Sequence, residues 1–258
     1  MEQHIFKKKY GQNFLNDQNI LEKISKSVTP TDKDLIIEIG PGSGNLTKWL
    51  QKYNCNIICY EIDESLKSTL SLLENSKTKI IYKDILSANI KEDIKDINYE
   101  NLYVIANIPY YITTPIIEKI TFSNLNPKAI ILMMQKELGE RLTSKPHSRS
   151  YGYITALLNY FYDIKILFNV SKKCFYPVPK VDSVVVRFNP IERTKTDIDK
   201  LNKLLKDSFQ FKRKNLKNNL KNYDLDKVDT LLKKHGYSLS NRAEDIPIEV
   251  YIDIIDNL

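Results

Sequence analysis

The sequence predicts an α/β protein: a doubly wound, mostly parallel sheet over residues 1–190, followed by a small all-helical domain over 191–258. Three observations carry this. Short β-branched apolar runs recur with helix-like stretches between them, the pattern of strands covered on both faces by crossover helices. A glycine loop joins the first of these runs to a helix, as at the ligand edge of such sheets. After Pro190 the pattern turns helical, with no comparably strong strand, so the boundary falls between about Asn189 and Thr194.

In chain order, the first strand candidate is Leu35 to Ile39 ("LIIEI"), followed by Asn56 to Glu61, Lys79 to Asp84, Leu102 to Asn107 and Ala129 to Gln135. Helices are expected between them at Asn45 to Tyr53 and Glu64 to Asn75, where the apolar spacing changes to a helical one. Two later strands, Tyr160 to Val170 and Val181 to Phe188, flank a proline-bearing loop, "SKKCFYPVPK". The stretch Phe209 to Leu220 ("FQFKRKNLKNNL") reads as a basic amphipathic helix, with Phe209, Phe211, Leu216 and Leu220 on its apolar side.

Composition narrows the function classes. With 258 residues and 42% hydrophobic content the chain can bury one sizeable core and a smaller second one. No apolar run approaches the ~18 residues of a membrane span. The start, "MEQHIFKKKYGQ", holds no apolar stretch suited to a secretory signal, so a cytoplasmic protein without a membrane partner is expected. Cys55, Cys59 and Cys174 form no CxxC pair, and His4, His147 and His235 lack a ligand-like spacing, which argues against a metal site. The net charge is +7 and unevenly placed: Ile191 to Lys221 carries +6, and Asn222 to Leu258 carries −4. A basic block of this kind suits a polyanion, although a solvated helix face produces the same run.

Four strand ends point to one site. Gly40, Gly42 and Gly44 form G-x-G-x-G, not the dinucleotide fingerprint, and no lysine follows them as in a P-loop. Gly40, Glu61, Asp84 and Asn107 lie 21, 23 and 23 residues apart, one βα unit each, and so share the carboxyl edge of one sheet. Glu61 is placed to accept from a ribose diol, and Asp84 from an adenine amine. Singly, such carboxylates are often helix N-caps, a reading that applies to Asp84 and to Asp63. A nucleoside site without a phosphate grip suggests S-adenosylmethionine. Asn107 then stands beside a sulfonium methyl, where its carbonyl and the carbonyls of the next turn can accept hydrogen bonds from a target amine. An adenine amine is a poor nucleophile because its lone pair is delocalised into the ring, and two such acceptors favour the pyramidal form that exposes it. Pro109 fixes the turn, and Tyr110 offers a face for a planar base.

The segments Tyr10 to Asp17 ("YGQNFLND"), "EIGPGSGNLT", "NIPYYITTP", "MMQKELGERL", "CFYPVPKVDSVVVRF" and "NRAEDIP" together resemble the KsgA-like small-subunit ribosomal RNA adenine dimethyltransferases, from about Tyr10 to the C-terminal end. The resemblance implies a class I S-adenosylmethionine methyltransferase fold, with S-adenosylmethionine as methyl donor and no metal. It implies that Asn13 and Leu15 close over the donor alongside Gly40, Gly42, Glu61, Asp84 and Asn107, and that Phe175 faces Tyr110 across the adenine. The residues by themselves also allow Phe175 to be a loop aromatic packed on the core. The implied substrate is adenine in the rRNA of a pre-assembled small subunit, met by a monomer and held through Lys212, Arg213, Lys214 and Lys217. Lys7, Lys8 and Lys9 offer a second basic run. Tyr111 stands where the family usually has Asn. Three other readings are a large-subunit adenine methyltransferase of the antibiotic-resistance type, a non-catalytic assembly or transcription factor derived from the family, and a protein-glutamine methyltransferase. Intact Asn107, Pro109 and Tyr110 favour an enzyme, and the basic block and Ile108 argue against a protein substrate.

Overall fold

The computed structural model describes residues 13–108, 110–193 and 196–258. Pro109, Lys7, Lys8 and Lys9 therefore lie outside the described residues. The strands are β1 (Phe14–Leu15), β2 (Leu35–Ile39), β3 (Asn56–Glu61), β4 (Thr78–Tyr82), β5 (Leu102–Asn107), β6 (Ala129–Gln135), β7 (Tyr162–Val170), β8 (Phe175–Tyr176) and β9 (Ser183–Pro190). The α-helices are α1 (Gln18–Ser25), α2 (Asn45–Leu50), α3 (Lys67–Leu70), α4 (Ile90–Asp93), α5 (Thr113–Phe122), α6 (Lys136–Leu142), α7 (Tyr153–Phe161), α8 (Ile198–Ser208), α9 (Leu216–Asn219), α10 (Leu225–Lys234) and α11 (Ile248–Asn257).

The chain divides into two compact units, Met1–Gly139 with Lys165–Pro190, and Glu140–Ile164 with Ile191–Leu258. The first holds the doubly wound sheet, in the order β4-β3-β2-β5-β6-β9-β7. The β2–β3, β2–β5, β3–β4 and β5–β6 pairs are parallel, and β9 runs antiparallel to β6. The strand order reverses between β2 and β5, which leaves a crevice beyond their carboxyl ends. All five residues of β2 are buried, as expected for a strand with helices on both faces. At the opposite edge Asp34 clamps the entry to β2 and β5: it accepts from Thr31 N at 2.7 Å, Asn101 Nδ2 at 2.7 Å and Asn101 N at 3.0 Å. Burial alone would raise its carboxyl, but these bonds outweigh burial and hold it below the ordinary value.

The second unit has its own core, in which Leu201, Leu204 and Leu205 of α8 meet Leu231, Leu232, Tyr251 and Ile254. Tyr151, Ala156 and Leu157 belong to that core too. The sequence boundary gave everything before residue 191 to the first domain, whereas Glu140–Ile164 groups with the C-terminal helices. The physical reason is the apolar face of α7, a 3.6-period stripe whose partners lie far along the chain and leave no mark at the local boundary. Among the described residues, no helix is long and apolar enough to cross a membrane.

A second correction concerns the basic stretch. Residues from Phe209 form a turn rather than a helix, and only Leu216–Asn219 is helical. Leu216 and Leu220 are buried as expected, but Phe211 is 56% exposed. Asn219 causes the break: its Nδ2 donates to Ser208 O at 2.7 Å, and its Oδ1 accepts from Phe211 N at 3.3 Å, so the amide replaces helical backbone bonds.

Gly139 lies inside α6, where alanine is intrinsically the better helix former by roughly 1 kcal/mol. A Cβ there would stand 2.3 Å from Val184 Cγ2 and 3.2 Å from Val186 Cγ2, both on fully buried, β-branched side chains of β9. Gly139→Ala is therefore expected to lower the unfolding free energy by about 1–3 kcal/mol in urea titration. A stabilised variant would mean that helix propensity outweighs this contact.

Candidate active site

A cleft opens at the carboxyl edge of the sheet, and every residue lining it belongs to the first unit. Its empty space, including the open mouth, is about 1040 Å³, enough for a nucleoside-sized ligand. Asn13, Leu15, Gly40, Gly42, Glu61, Asp84, Asn107, Tyr110 and Phe175 all line it. The four basic residues of the second unit, Lys212, Arg213, Lys214 and Lys217, are exposed and are not part of it.

The floor is the glycine loop between β2 and α2. Gly42 has φ +57°, and a Cβ on it would meet Phe14 Cε1 at 2.8 Å. Gly44 has φ +74°, and its Cβ would meet Leu73 Cδ1 at 2.2 Å. Both glycines are thus required by backbone conformation and by packing of the loop itself. Glu61, the last residue of β3 and only 5% exposed, ties this loop from the side: its Oε2 accepts from Gly42 N at 3.1 Å and its Oε1 from Asp63 N at 2.9 Å. Burial raises its pKa, and the backbone donors oppose that rise. Beyond these backbone bonds the carboxylate retains acceptor capacity for a ligand hydroxyl.

Asp84 lies two residues beyond β4 rather than at its end. Its Oδ1 accepts from Leu86 N at 2.9 Å, so the turn-capping role is realised on one oxygen while the residue still lines the cleft. Asp63 takes the cap role outright, accepting from Ser65 N at 3.1 Å and Ser65 Oγ at 2.7 Å.

Glu38 is a site residue beyond those expected from the sequence. This acid lies within β2, is 1% exposed, and lines the cleft. Thr47 Oγ1 donates to its Oε2 at 2.7 Å, and the Cys59 thiol lies at 3.5 Å from the same oxygen. Burial pushes its pKa up to about 7, and the nearby Glu61 charge adds to the rise. The signal was present in the sequence: one acid in the otherwise apolar run "LIIEI" is a costly choice unless it has a task.

The opposite wall comes from three segments. Asn107 closes β5, and among the described residues its side-chain amide has no hydrogen-bond partner. The Tyr110 hydroxyl lies 2.8 Å from Ser183 Oγ at the start of β9, which fixes the ring, and burial raises its pKa. Phe175 is buried in β8, paired with Leu15 of β1, so it packs on the core and lines the cleft at once. The β1 strand is held in turn by Asn45, whose Nδ2 donates to Leu15 O at 3.1 Å. Tyr111 lines the mouth and is 63% exposed.

Three carboxylates, Glu38, Glu61 and Asp84, around one cleft disfavour a pyrophosphate and suit a cationic ligand. S-adenosylmethionine fits this donor set, with acceptors for ribose hydroxyls and adenine amine and an acid for an ammonium. Among the described residues, no group of three or more His, Cys, Asp or Glu stands close enough to hold a metal ion.

Glu38 gives the fold a pH dependence. Between about pH 4.5 and 7 the unfolded chain releases a proton that folded Glu38 retains, so stability falls as pH rises through that window. The full loss is about 3 kcal/mol for a shift of this size. Glu38→Gln keeps an acceptor for Thr47 and removes the titration. Urea unfolding at pH 5 and pH 7.5 is expected to show a smaller decline for the variant than for the wild type, and equal declines would place the titration elsewhere.

Comparison with known proteins agrees with this geometry. Residues 3–258 match the family model described as ribosomal RNA adenine dimethylase. The chain is 41% identical to the ribosomal RNA small subunit methyltransferase A of Mycoplasma mobile, covering 96% of each chain. It is 39% identical to the protein of that name from Thermotoga maritima, covering 97% of this chain and 84% of the relative. Among solved structures, a dimethyladenosine transferase from Plasmodium falciparum shares the fold with a TM-score of 0.75 at 24% identity, over 93% of this chain and 95% of that one. The 23S rRNA methyltransferase ErmE does so with a TM-score of 0.74 at 22% identity, over 95% and 99%. The fold is thus that of class I methyltransferases, and the chain belongs to the ribosomal RNA adenine dimethylase family.

Proposed function

We propose that this protein transfers methyl groups from S-adenosylmethionine to the exocyclic amines of adenines in small-subunit ribosomal RNA, giving dimethyladenosine, with a role in small-subunit biogenesis. The observation that carries the reading is the convergence of Glu61, Asp84, Asn107, Tyr110 and Phe175 on one acidic, phosphate-averse cleft. The small-subunit choice is supported by relatives of that name at 41% and 39% identity over nearly the whole of this chain.

When bound, the donor supplies an electrophilic methyl on a sulfonium. Glu61 accepts from the ribose hydroxyls with the acceptor sites its backbone bonds leave open. Asp84 receives the adenine amine of the donor on the oxygen not used by Leu86. Glu38, whose raised pKa reflects a buried charge lacking a cation, takes the ammonium of the donor's methionine end. On the other wall Asn107 accepts a hydrogen bond from the target amine, and Tyr110 and Phe175 hold the adenine ring between them. The Tyr110 hydroxyl is committed to Ser183, so this residue acts through its ring and not as an acid or base. Pro109, the remaining residue of the motif, lies outside the described residues.

Because its main contact forms at the transition state, Asn107→Ala is expected to lose methylation while donor and rRNA affinities stay within a few-fold of wild type. Methyl incorporation into small subunits lacking the modification, read beside donor calorimetry, checks this. Substantial turnover in the variant excludes the role given to Asn107.

The second unit is proposed to hold the pre-assembled small subunit through Lys212, Arg213, Lys214 and Lys217. Phosphate contacts position a substrate without specifying it, so rRNA shape does the selecting. The fourfold Ala variant is expected to bind small subunits more weakly, with the log-log salt slope reduced by roughly 0.7 to 0.9 per lost contact. Its melting temperature is compared first, because Lys212 Nζ also donates to Arg149 O at 2.7 Å. A folded variant with wild-type affinity and slope reduces the run to a solvated face.

A further inference from the structure

Phe211 is the residue whose placement the sequence missed most clearly. It is 56% exposed, yet its backbone is held from several directions. Phe211 N donates to Asn219 Oδ1 at 3.3 Å, and Phe211 O accepts from Lys214 N at 2.8 Å and from Asn219 Nδ2 at 3.4 Å. The next residues are pinned as well: Leu216 N donates to Asn241 O at 2.9 Å and Lys217 N to Leu239 O at 3.0 Å. Among the described residues, no other ring and no cation stacks on Phe211. Single exposed aromatics are common and need no explanation by themselves. Here, however, a large ring is presented to water on a braced turn whose own stretch of chain carries positive charge only; of the surrounding cations, Arg242 has an acid beside it, Glu244, 4.0 Å from its Nη1.

Ser208 to Tyr223 contains Lys212, Arg213, Lys214, Lys217 and Lys221 and no acidic residue. The fold adds cations from elsewhere in the same unit. The bond from Lys212 Nζ to Arg149 O draws in exposed Arg149, and the bridge between Asn215 and Arg242 draws in exposed Arg242. An aromatic face inside a cationic collar matches a nucleic-acid strand, whose backbone is anionic and whose bases have flat faces. In a duplex those faces are covered by neighbouring pairs, whereas loops, bulges and ends leave them open.

We propose that Phe211 is a stacking platform for an unpaired base of the bound RNA, within a collar of phosphate-binding cations formed by Arg149, Lys212, Arg213, Lys214 and Arg242. This rests on the rRNA reading above and adds a contact of a different physical kind. Cations act through counterion release and are weakened by salt, while base stacking is not.

The test uses the full chain and pre-assembled small ribosomal subunits, with Phe211→Ala, Phe211→Leu and Phe211→Trp compared over a range of salt. The ring is exposed, so melting temperatures should match wild type. Phe211→Ala is expected to weaken binding about 5- to 150-fold with an unchanged salt slope. Phe211→Trp should retain affinity, and its emission should be quenched on binding beyond the change that Trp49, the only native tryptophan, gives in wild type. Phe211→Leu should not retain affinity, because an aliphatic side chain fills an apolar protein pocket but offers no π-face. Wild-type affinity in Phe211→Ala, rescue by Phe211→Leu, or a shallower slope in Phe211→Ala overturns the platform alone. Absence of any salt-dependent wild-type binding to the subunits removes the rRNA reading and the platform with it.

Discussion

The bonds of Glu61 to the backbone of its neighbours are the constraint on which the cleft depends. A glycine loop with left-handed residues is permissive by nature, and nothing in Gly40 to Gly44 alone selects one of its conformations. The Glu61 carboxylate does so by accepting from Gly42 N across the β2–β3 pair and from Asp63 N along its own strand end. The parallel register, Ile39 against Tyr60, brings the loop and the acid together. Phe14 packs against the same glycine from the other side, so the N-terminal ribbon, the loop and β3 form one assembly. Removing this carboxylate would therefore loosen the loop as well as delete two acceptors.

The cleft of the first unit and the basic turn of the second collect charges of opposite sign. The cleft collects Glu38, Glu61 and Asp84, and holds Glu38 so deeply that its pKa reaches about 7. An acidic pocket repels a phosphate backbone but suits a ligand with a sulfonium and an ammonium. The second unit gathers cations from 149, 212–217 and 242 on exposed positions. On the proposed reading the cleft serves a small cationic ligand and the basic turn a polyanion, and neither surface suits both.

How much of this the sequence disclosed depends on the range of the interactions involved. Strands β2, β3, β5 and β6 were legible to the residue, because a continuous apolar run of five to seven residues in a parallel sheet has few alternatives. The convergence of four strand ends followed from spacing alone. Helix integrity was less legible: Glu64 to Asn75 reads as one helix but breaks into 3₁₀ and α turns. The exposure of Phe211 was hidden because the amide of Asn219, eight residues away, outcompetes the helix that the apolar spacing suggests. Glu38 is marked in the sequence as one acid in an apolar run, but its Thr47 and Cys59 partners come from α2 and β3 and leave no local trace. The membership of Glu140–Ile164 in the second unit depends on partners 40 to 110 residues away, beyond the reach of any local pattern.

The acceptor side of the cleft shows how distant chain segments are made to act together. Asn107 and Tyr110 belong to the end of β5 and the turn after it, while Phe175 and Ser183 lie on either side of a loop far downstream. The β6–β9 pair joins these regions, because its register sets Gln135 opposite Ser183, and the parallel β5–β6 pair sets Asn107 opposite Met133. Ser183 then reaches the Tyr110 hydroxyl at 2.8 Å. The antiparallel strand β9, which lies between β6 and β7, therefore does more than extend the sheet. It returns the chain in the direction needed for its first residue to stand at the carboxyl edge, where the parallel strands end. A parallel strand in that place would start at the far edge and leave the Tyr110 ring without its anchor.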